Sequence, residues 1–153
     1  MTTYVDSSAL VAIYVPERFS TAARSEVRKA RQVPFTPVHE LEVPTAFELL
    51  LGRDLISRDE CRSLHEQLRD DLENQRLVRL ALDLDQVFTQ AGEYSRLYAA
   101  KHLARSLDLL HVAAAHAASC TTFVSGDDRQ LAVAKASGLK TVDIKPAPRR
   151  QRR

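Results

Sequence analysis

Short runs of β-branched and aromatic residues alternate along the chain with longer stretches whose apolar residues recur three and four positions apart. Such runs predict buried strands, and such stretches predict helices with an apolar face. The predicted strands are 2–5, 33–36, 77–80, 121–125 and 141–144, and the predicted helices are 7–15, 20–31, 37–52, 58–75, 84–103, 107–119 and 127–137.

The order of these elements predicts an α/β fold. Strands alternate with helices, and the strand runs are too apolar to leave one face of a sheet in water. We therefore expect three layers, with a parallel sheet of four or five strands flanked by helices. In such sheets ligands bind beyond the carboxyl ends of the strands, so a functional site is expected there.

Pro44 conflicts with the helix in which it lies. It falls inside the predicted helix 37–52, where a proline removes one backbone donor and its ring crowds the carbonyl of Glu40. We expect this helix to kink just before or at Pro44.

Four acidic residues occupy positions that this topology would bring together. Asp6 follows the first strand, Asp127 follows the fourth, Asp108 opens a helix, and Glu42 lies within an otherwise apolar helix. Taken singly, the three aspartates could simply cap or begin helices. Carboxylates brought together repel unless a cation neutralises them, and hard oxygen ligands suit Mg²⁺ or Mn²⁺ rather than zinc. Such a site supports phosphodiester hydrolysis.

Composition fits one globular domain. The 153 residues are 44% hydrophobic and 27% charged. The longest apolar run, 9–15, is too short to span a bilayer, and the amino terminus lacks the basic segment of a signal peptide. Cys61 and Cys120 form no CxxC motif, which favours a reduced, cytoplasmic location.

The net charge of +2 conceals an uneven distribution. Residues 145–153 hold five of the 22 Lys and Arg and no acid, which leaves 17 bases against 20 acids in the remainder. Pro146 and Pro148 break regular structure before Arg149. We therefore expect a flexible basic tail over residues 145–153.

Other site chemistries lack their motifs. The chain has no phosphate-binding or dinucleotide-binding glycine loop and no Gly-x-Ser-x-Gly. Val43 stands where a zinc-protease helix starting at His39 needs its second histidine. A receiver-like domain is disfavoured, because Asp83 and Asp85 are poorly placed as phospho-acceptors.

Four sequence blocks surround the four acids in a distinctive order. They are Tyr-Val-Asp-Ser-Ser-Ala-Leu around Asp6, His-Glu-Leu-Glu-Val-x-x-Ala around Glu42, Leu-Asp-Leu-Leu-His-Val-Ala-Ala-Ala around Asp108, and Phe-Val-Ser-Gly-Asp-Asp-Arg-Gln-Leu around Asp127. In this order and spacing they resemble the PIN-domain ribonucleases, and specifically the VapC-type toxins of toxin–antitoxin pairs.

The resemblance implies a PIN-like nuclease domain over residues 1–144 that acts as a Mg²⁺- or Mn²⁺-dependent endoribonuclease. Asp6, Glu42, Asp108 and Asp127 would be its catalytic residues and metal ligands. Family members attack structured RNA, often transfer or ribosomal RNA, and leave 5′-phosphate and 3′-hydroxyl ends. A VapB-type antitoxin that occludes the site and a homodimer are implied as well.

Two blocks contain competing acids. Glu40 and Glu42 lie two positions apart, so a helix turns them about 200° from each other and both cannot face one metal. The resemblance selects Glu42, and Glu40 remains the alternative. It also selects Asp127, two residues after Ser125, and leaves Asp128 as a first-turn acid that could still touch the site.

Several residues near the four acids each have more than one possible role. Ser7 and Ser125 could hydrogen-bond metal ligands or simply cap helices. His111, three positions after Asp108, could contact RNA, orient a carboxylate or be a packed core histidine. A stretch without acids suits RNA contact as well as it suits a solvated helix face. It contains Arg96, Lys101 and Arg105, with Tyr94 and Tyr98 interleaved.

The main alternative function is a PIN-like module that binds RNA or a partner without turnover. The full set of four acids argues against it, because a module that has lost catalysis is expected to have lost one or more of them.

Overall fold

The structure, a computed structural model, describes residues 1–147 and is an α/β fold whose paired strands are all parallel. The strands are β1 (Thr3–Val5), β2 (Val33–Phe35), β3 (Leu77–Arg79), β4 (Thr122–Ser125) and β5 (Lys140–Asp143). The helices are α1 (Ser7–Tyr14), α2 (Ser20–Ala30), α3 (Pro37–Gly52), α4 (Arg58–Glu73), α5 (Leu84–Tyr94), α6 (Ala100–His102), α7 (Ser106–Ala117) and α8 (Asp128–Ala136). The predicted fold class and element order are confirmed, and a π-helical segment, Ser95–Ala99, interrupts the predicted helix 84–103.

Two apolar cores lie on opposite faces of the central sheet. Val5 and Val124 point to one face, where α1, α2, α3 and α4 pack. Tyr4 and Phe123, the preceding residues in the same two strands, point to the other face, where α5, α7 and α8 pack. The alternation along each strand thus produces the three predicted layers.

The strands form two ladders rather than the single predicted sheet of four or five. One ladder has the order β1-β4-β5, and the other pairs β2 with β3. The backbone groups of Val33 and Phe35 hydrogen-bond along the β3 side of β2. The backbone groups of Pro34, which lies between them, therefore point to the opposite edge of β2. Because proline has no N–H, β2 cannot offer β1 a ladder donor there.

A buried histidine replaces the missing ladder contact. The N–H of Thr36 donates to His39 Nδ1 at 3.0 Å, so the ring proton lies on Nε2 and is donated to the carbonyl of Val5 at 2.8 Å. His39 thus connects the start of α3 to β1. Burial, followed by the charge of His111, lowers the pKa of His39 to about 3, so the ring is neutral at physiological pH.

Helix α3 continues without a break through Pro44. Pro44 cannot donate to the carbonyl of Glu40, and the hydroxyl of Thr45 donates to the carbonyl of Leu41 at 2.6 Å. The proline therefore does not end the helix, and the kink expected there stays a prediction.

The predicted basic tail begins at the edge of the described residues. Lys145 forms ion pairs with Asp128 and with Asp143, so its side chain lies against the domain. The arginines at 149–153 that would make the tail basic lie outside the described residues. Within residues 1–147, none of the helices has the length and apolar character needed to cross a membrane.

Candidate functional site

Three of the four predicted acids, Glu42, Asp108 and Asp127, line one cavity at the carboxyl edge of β1 and β4. Asp6 is fully buried and directly precedes Ser7 and Ser8, which line the same cavity. Asp6 caps α1 after β1, and Asp127 caps α8 after β4. Asp108 lies in the first turn of α7, and Glu42 lies in the second turn of α3. The cavity has a volume of about 460 Å³. Its lining includes Ser7, Ser8, Glu42, Arg105, Asp108, His111, Asp127 and Gln130.

Asp6 is fully buried and held by donors on both carboxylate oxygens. The backbone N–H of Ala9 donates to Oδ1 at 2.8 Å, and Ser8 Oγ lies 3.0 Å from Oδ2. Ser125 Oγ donates to Oδ2 at 2.7 Å and accepts the N–H of Asp127 at 2.9 Å, so one hydroxyl connects two of the acids. Burial raises the pKa of Asp6, although the charge of His111 and these donors oppose the rise.

Glu42 is oriented by His111. The Nε2 atom of His111 lies 2.5 Å from Glu42 Oε1 and 3.2 Å from Ser7 Oγ, and Nδ1 lies 2.8 Å from the hydroxyl of Tyr4. An ionised carboxylate can only accept, so Nε2–H donates to Glu42. Burial works against ionisation of Glu42, but the hydrogen bond and charge of His111, with Ser7, hold its pKa below the usual value.

Arg105 bridges the other two acids. Its Nε lies 3.2 Å from Asp108 Oδ2, and its Nη2 lies 3.3 Å from Asp127 Oδ2. The side chain of Asp108 is 2% exposed, whereas that of Arg105 is 63% exposed. The guanidinium therefore offsets two carboxylate charges from the solvent side, and the hydrogen bond to Asp108 raises the pKa of Arg105.

A family model for the PIN domain matches residues 3–136. The chain belongs to the PIN domain family. It is also similar to the crystal structure of FitAcB from Neisseria gonorrhoeae, with a TM-score of 0.64 and 16% identity, over 94% of this chain and 98% of that one. At this identity the likeness shows the fold. No match was found among curated proteins.

Not all the predicted residues line the cavity of this PIN domain. Asp128 is exposed and pairs with Lys145, and Arg96 pairs with Glu93. The alternative acid Glu40 pairs with Arg79 at 2.7 Å. Lys101 is exposed on α6. Of the three predicted basic contacts, Arg105 is the one that lines the cavity.

The sequence analysis did not find Gln130. Its Nε2 donates to Asp108 Oδ1 at 3.2 Å, whereas its buried Oε1 has no hydrogen-bond partner among the described residues. A buried amide oxygen needs a donor, a water or a cation. The available signal was its position three residues after Asp127, on the same side of α8.

The donor set of the cavity fits a hard divalent cation. The three acids that line it and the buried Asp6 offer only carboxylate oxygens, which are the ligands that Mg²⁺ and Mn²⁺ prefer. Within residues 1–147 no three of these acids bring ligand atoms within 4.8 Å of one another. The carboxylates already accept hydrogen bonds from serine, glutamine and arginine side chains. The carboxylates would therefore have to move closer together to bind a cation.

We expect Ser125→Ala to weaken Mn²⁺ binding by about 10–100-fold, the usual cost of losing a group that orients a metal ligand. The substitution removes the hydroxyl that joins Asp6 to the backbone of Asp127. Calorimetric titration with Mn²⁺ measures the change, with Ser63→Ala on the exposed face of α4 as the control. An unchanged affinity in folded Ser125→Ala protein would show that the hydroxyl does not orient the site.

Proposed function

We propose that this PIN domain is a divalent-metal-dependent endoribonuclease toxin of the VapC type. The observation that carries the proposal is one cavity lined by Glu42, Asp108 and Asp127, with the buried Asp6 connected to Asp127 through the hydroxyl of Ser125. PIN domains are generally nucleases. The proposal includes a cytoplasmic location, a structured RNA substrate such as transfer or ribosomal RNA, and neutralisation by a cognate VapB-type antitoxin.

Mg²⁺ or Mn²⁺ would be held by Asp6, Glu42, Asp108 and Asp127. When bound between such carboxylates, a divalent cation lowers the pKa of an attacking water and stabilises the leaving oxygen of the phosphodiester.

The chain's own residues prepare the site for this chemistry. Ser8, Ser125 and the N–H of Ala9 hold the Asp6 carboxylate in one orientation, and His111 does the same for Glu42. We expect the exposed guanidinium of Arg105 to bind an RNA phosphate, because its present partners are carboxylates that the cation would engage.

The proposed nuclease domain comprises residues 1–144, followed by the basic tail 145–153. A homodimer is supported by large apolar side chains that remain exposed between residues 84 and 103. They include Phe88, Leu97 and Leu103, each more than 60% exposed.

A metal add-back experiment tests the proposal. We expect chelator-treated protein to leave transfer and ribosomal RNA intact, and Mn²⁺ or Mg²⁺ to restore cleavage with 5′-phosphate and 3′-hydroxyl ends. Sequencing of fragment ends, with and without prior 5′ phosphorylation, distinguishes these termini. Cleavage that persists without metal, or that leaves 5′-hydroxyl ends, would contradict a metal-activated water as the nucleophile.

The second candidate function is an RNA-binding or assembly module without turnover. The bridge from Arg105 to Asp108 and Asp127 favours it, because a side-chain cation already offsets charge where a metal would bind. Such a module would bind RNA without cleaving it and would have no measurable affinity for Mn²⁺, so the same experiment separates the two functions.

A further inference from the structure

A second group of metal-ligating side chains lies between α3 and α4. Glu48 extends from α3, and Cys61 and His65 extend from α4. Glu48 Oε1 lies 2.7 Å from His65 Nε2 and 3.7 Å from Cys61 Sγ, and the three ligand atoms all lie within 4.8 Å of one another. None of the three residues lines the acidic cavity.

The packing of α4 on α3 holds these side chains together. Cys61 and His65 are four positions apart, so they share one face of α4. Cys61 belongs to the apolar stripe that also contains Leu64 and Leu68, and this stripe is buried in the core. The ring of His65 packs edge-on against Phe47 of α3, with ring centroids 5.3 Å apart.

We propose that Glu48, Cys61 and His65 bind one Zn²⁺ ion that joins α3 to α4, with water as the fourth ligand. A thiolate, an imidazole and a carboxylate form a donor set that Zn²⁺ accepts and that Mg²⁺ does not select. The site is therefore chemically distinct from the all-carboxylate cavity.

The distances are close to those that a tetrahedral ion requires. Zinc bonds of about 2.0–2.3 Å at tetrahedral angles place ligand atoms about 3.3–3.6 Å apart. The distance from Cys61 Sγ to Glu48 Oε1 is near this range. The distance from Glu48 Oε1 to His65 Nε2 is shorter and is that of a direct hydrogen bond. Small side-chain rotations would replace that hydrogen bond by two bonds to the metal.

The site is open on one side. Cys61 is buried, whereas the side chains of Glu48 and His65 are 60% and 36% exposed, so an ion can enter from solvent. Burial and then the charge of Glu48 raise the pKa of the Cys61 thiol, so in the metal-free protein it carries its proton. Zn²⁺ binding therefore forms a zinc–sulfur bond and releases that proton to solvent.

Cobalt titration tests the proposal, because Co²⁺ bound to a thiolate in a tetrahedral site gives intense visible bands and a near-ultraviolet charge-transfer band. We expect chelator-treated protein to develop these bands up to one equivalent of Co²⁺ and to lose them when Zn²⁺ is added. Cys61→Ser should abolish the charge-transfer band, whereas Cys120→Ser, which removes the other buried thiol, should retain it. Absence of the band in the unmodified protein, or its persistence in Cys61→Ser, overturns the proposal.

Two variants at exposed or partly exposed positions guard against loss of fold in Cys61→Ser. We expect His65→Ala and Glu48→Gln to weaken Co²⁺ binding by at least about tenfold, while their circular dichroism is unchanged. Saturating Zn²⁺ should raise the melting temperature of the unmodified protein by several degrees but not that of His65→Ala. Equal affinity in all three proteins counts against the site.

The zinc site and the nuclease site can fail independently. Asp108→Asn should retain the cobalt bands, because Asp108 belongs to the acidic cavity. His65→Ala should retain Mg²⁺-dependent RNA cleavage, because His65 does not contact that cavity. Loss of the cobalt bands in folded Asp108→Asn would show that they depend on the acidic cavity and would overturn the zinc proposal.

Discussion

Asp6→Asn is expected to reduce metal-dependent RNA cleavage by at least about tenfold, since losing a metal ligand costs no less than losing a group that orients one. Asparagine has the shape of aspartate, and its Oδ1 can still accept the N–H of Ala9 that caps α1. The substitution therefore removes the negative charge from a fully buried position while preserving the local backbone.

Asp128→Asn is the matched control for Asp6→Asn. Asp128 is exposed, pairs with Lys145 and takes no part in the hydrogen bonds that connect Asp6 to Asp127, so its replacement should leave the cleavage rate unchanged. Initial rates on a structured RNA at saturating Mn²⁺ measure both variants, with circular dichroism as the check on folding. If folded Asp6→Asn cleaved at the unmodified rate, the assignment of the acidic cavity would be wrong.

His39→Leu is expected to lower the free energy of unfolding by about 3 kcal/mol. Leucine fills a similar volume but leaves two buried backbone groups, the carbonyl of Val5 and the N–H of Thr36, without the ring that now satisfies them. Each orphaned group costs about 1–3 kcal/mol. Denaturant unfolding measures the change, and His102→Leu, a partly exposed histidine of α6, should change stability much less.

His39 should also make the stability of the unmodified protein depend on pH, and His39→Leu should remove that dependence. His39 has a pKa of about 3 in the folded protein and about 6.5 when unfolded, so between these values the unfolded chain binds the extra proton. The contribution of His39 to the free energy of unfolding is fully present above pH 6.5. It falls as the pH drops towards 3, by up to about 1.4 kcal/mol per pH unit. The unmodified protein should show a steeper loss on acidification than His39→Leu. Equal slopes would contradict a buried neutral ring.

The hydrophobic pattern was sufficient to predict the strands and the helices apart from the π-helical interruption of helix 84–103. The topology rule predicted where the acids would meet. Asp6 and Asp127 follow parallel strands of one ladder, so their proximity depends on strand order alone. The split between the ladders depends on which edge of β2 Pro34 faces, and that is decided by the pairing of β2 with β3. The sequence pattern could not supply this pairing.

The contacts among side chains were the part that sequence could not give. The sequence analysis placed Arg105 on a possible RNA-binding surface, but its bridge between Asp108 and Asp127 depends on the rotamer of a long side chain. Gln130 was missed because a glutamine in a helix is ordinarily a surface residue. His39 lies far along the chain from Val5, so nothing local indicates that its ring donates to that carbonyl.

The four acids are carried by segments on both sides of the break between the two ladders, three on one side and one on the other. Asp6, Asp108 and Asp127 belong to β1, α7, β4 and the segments joined to them, whereas Glu42 is carried by α3, which follows β2. Local unfolding proceeds in cooperative units that often coincide with supersecondary motifs. If β2 and α3 formed one such unit, its opening would remove one carboxylate from the site and leave three behind. A cation held by all four acids would then bind the closed form selectively and suppress that opening.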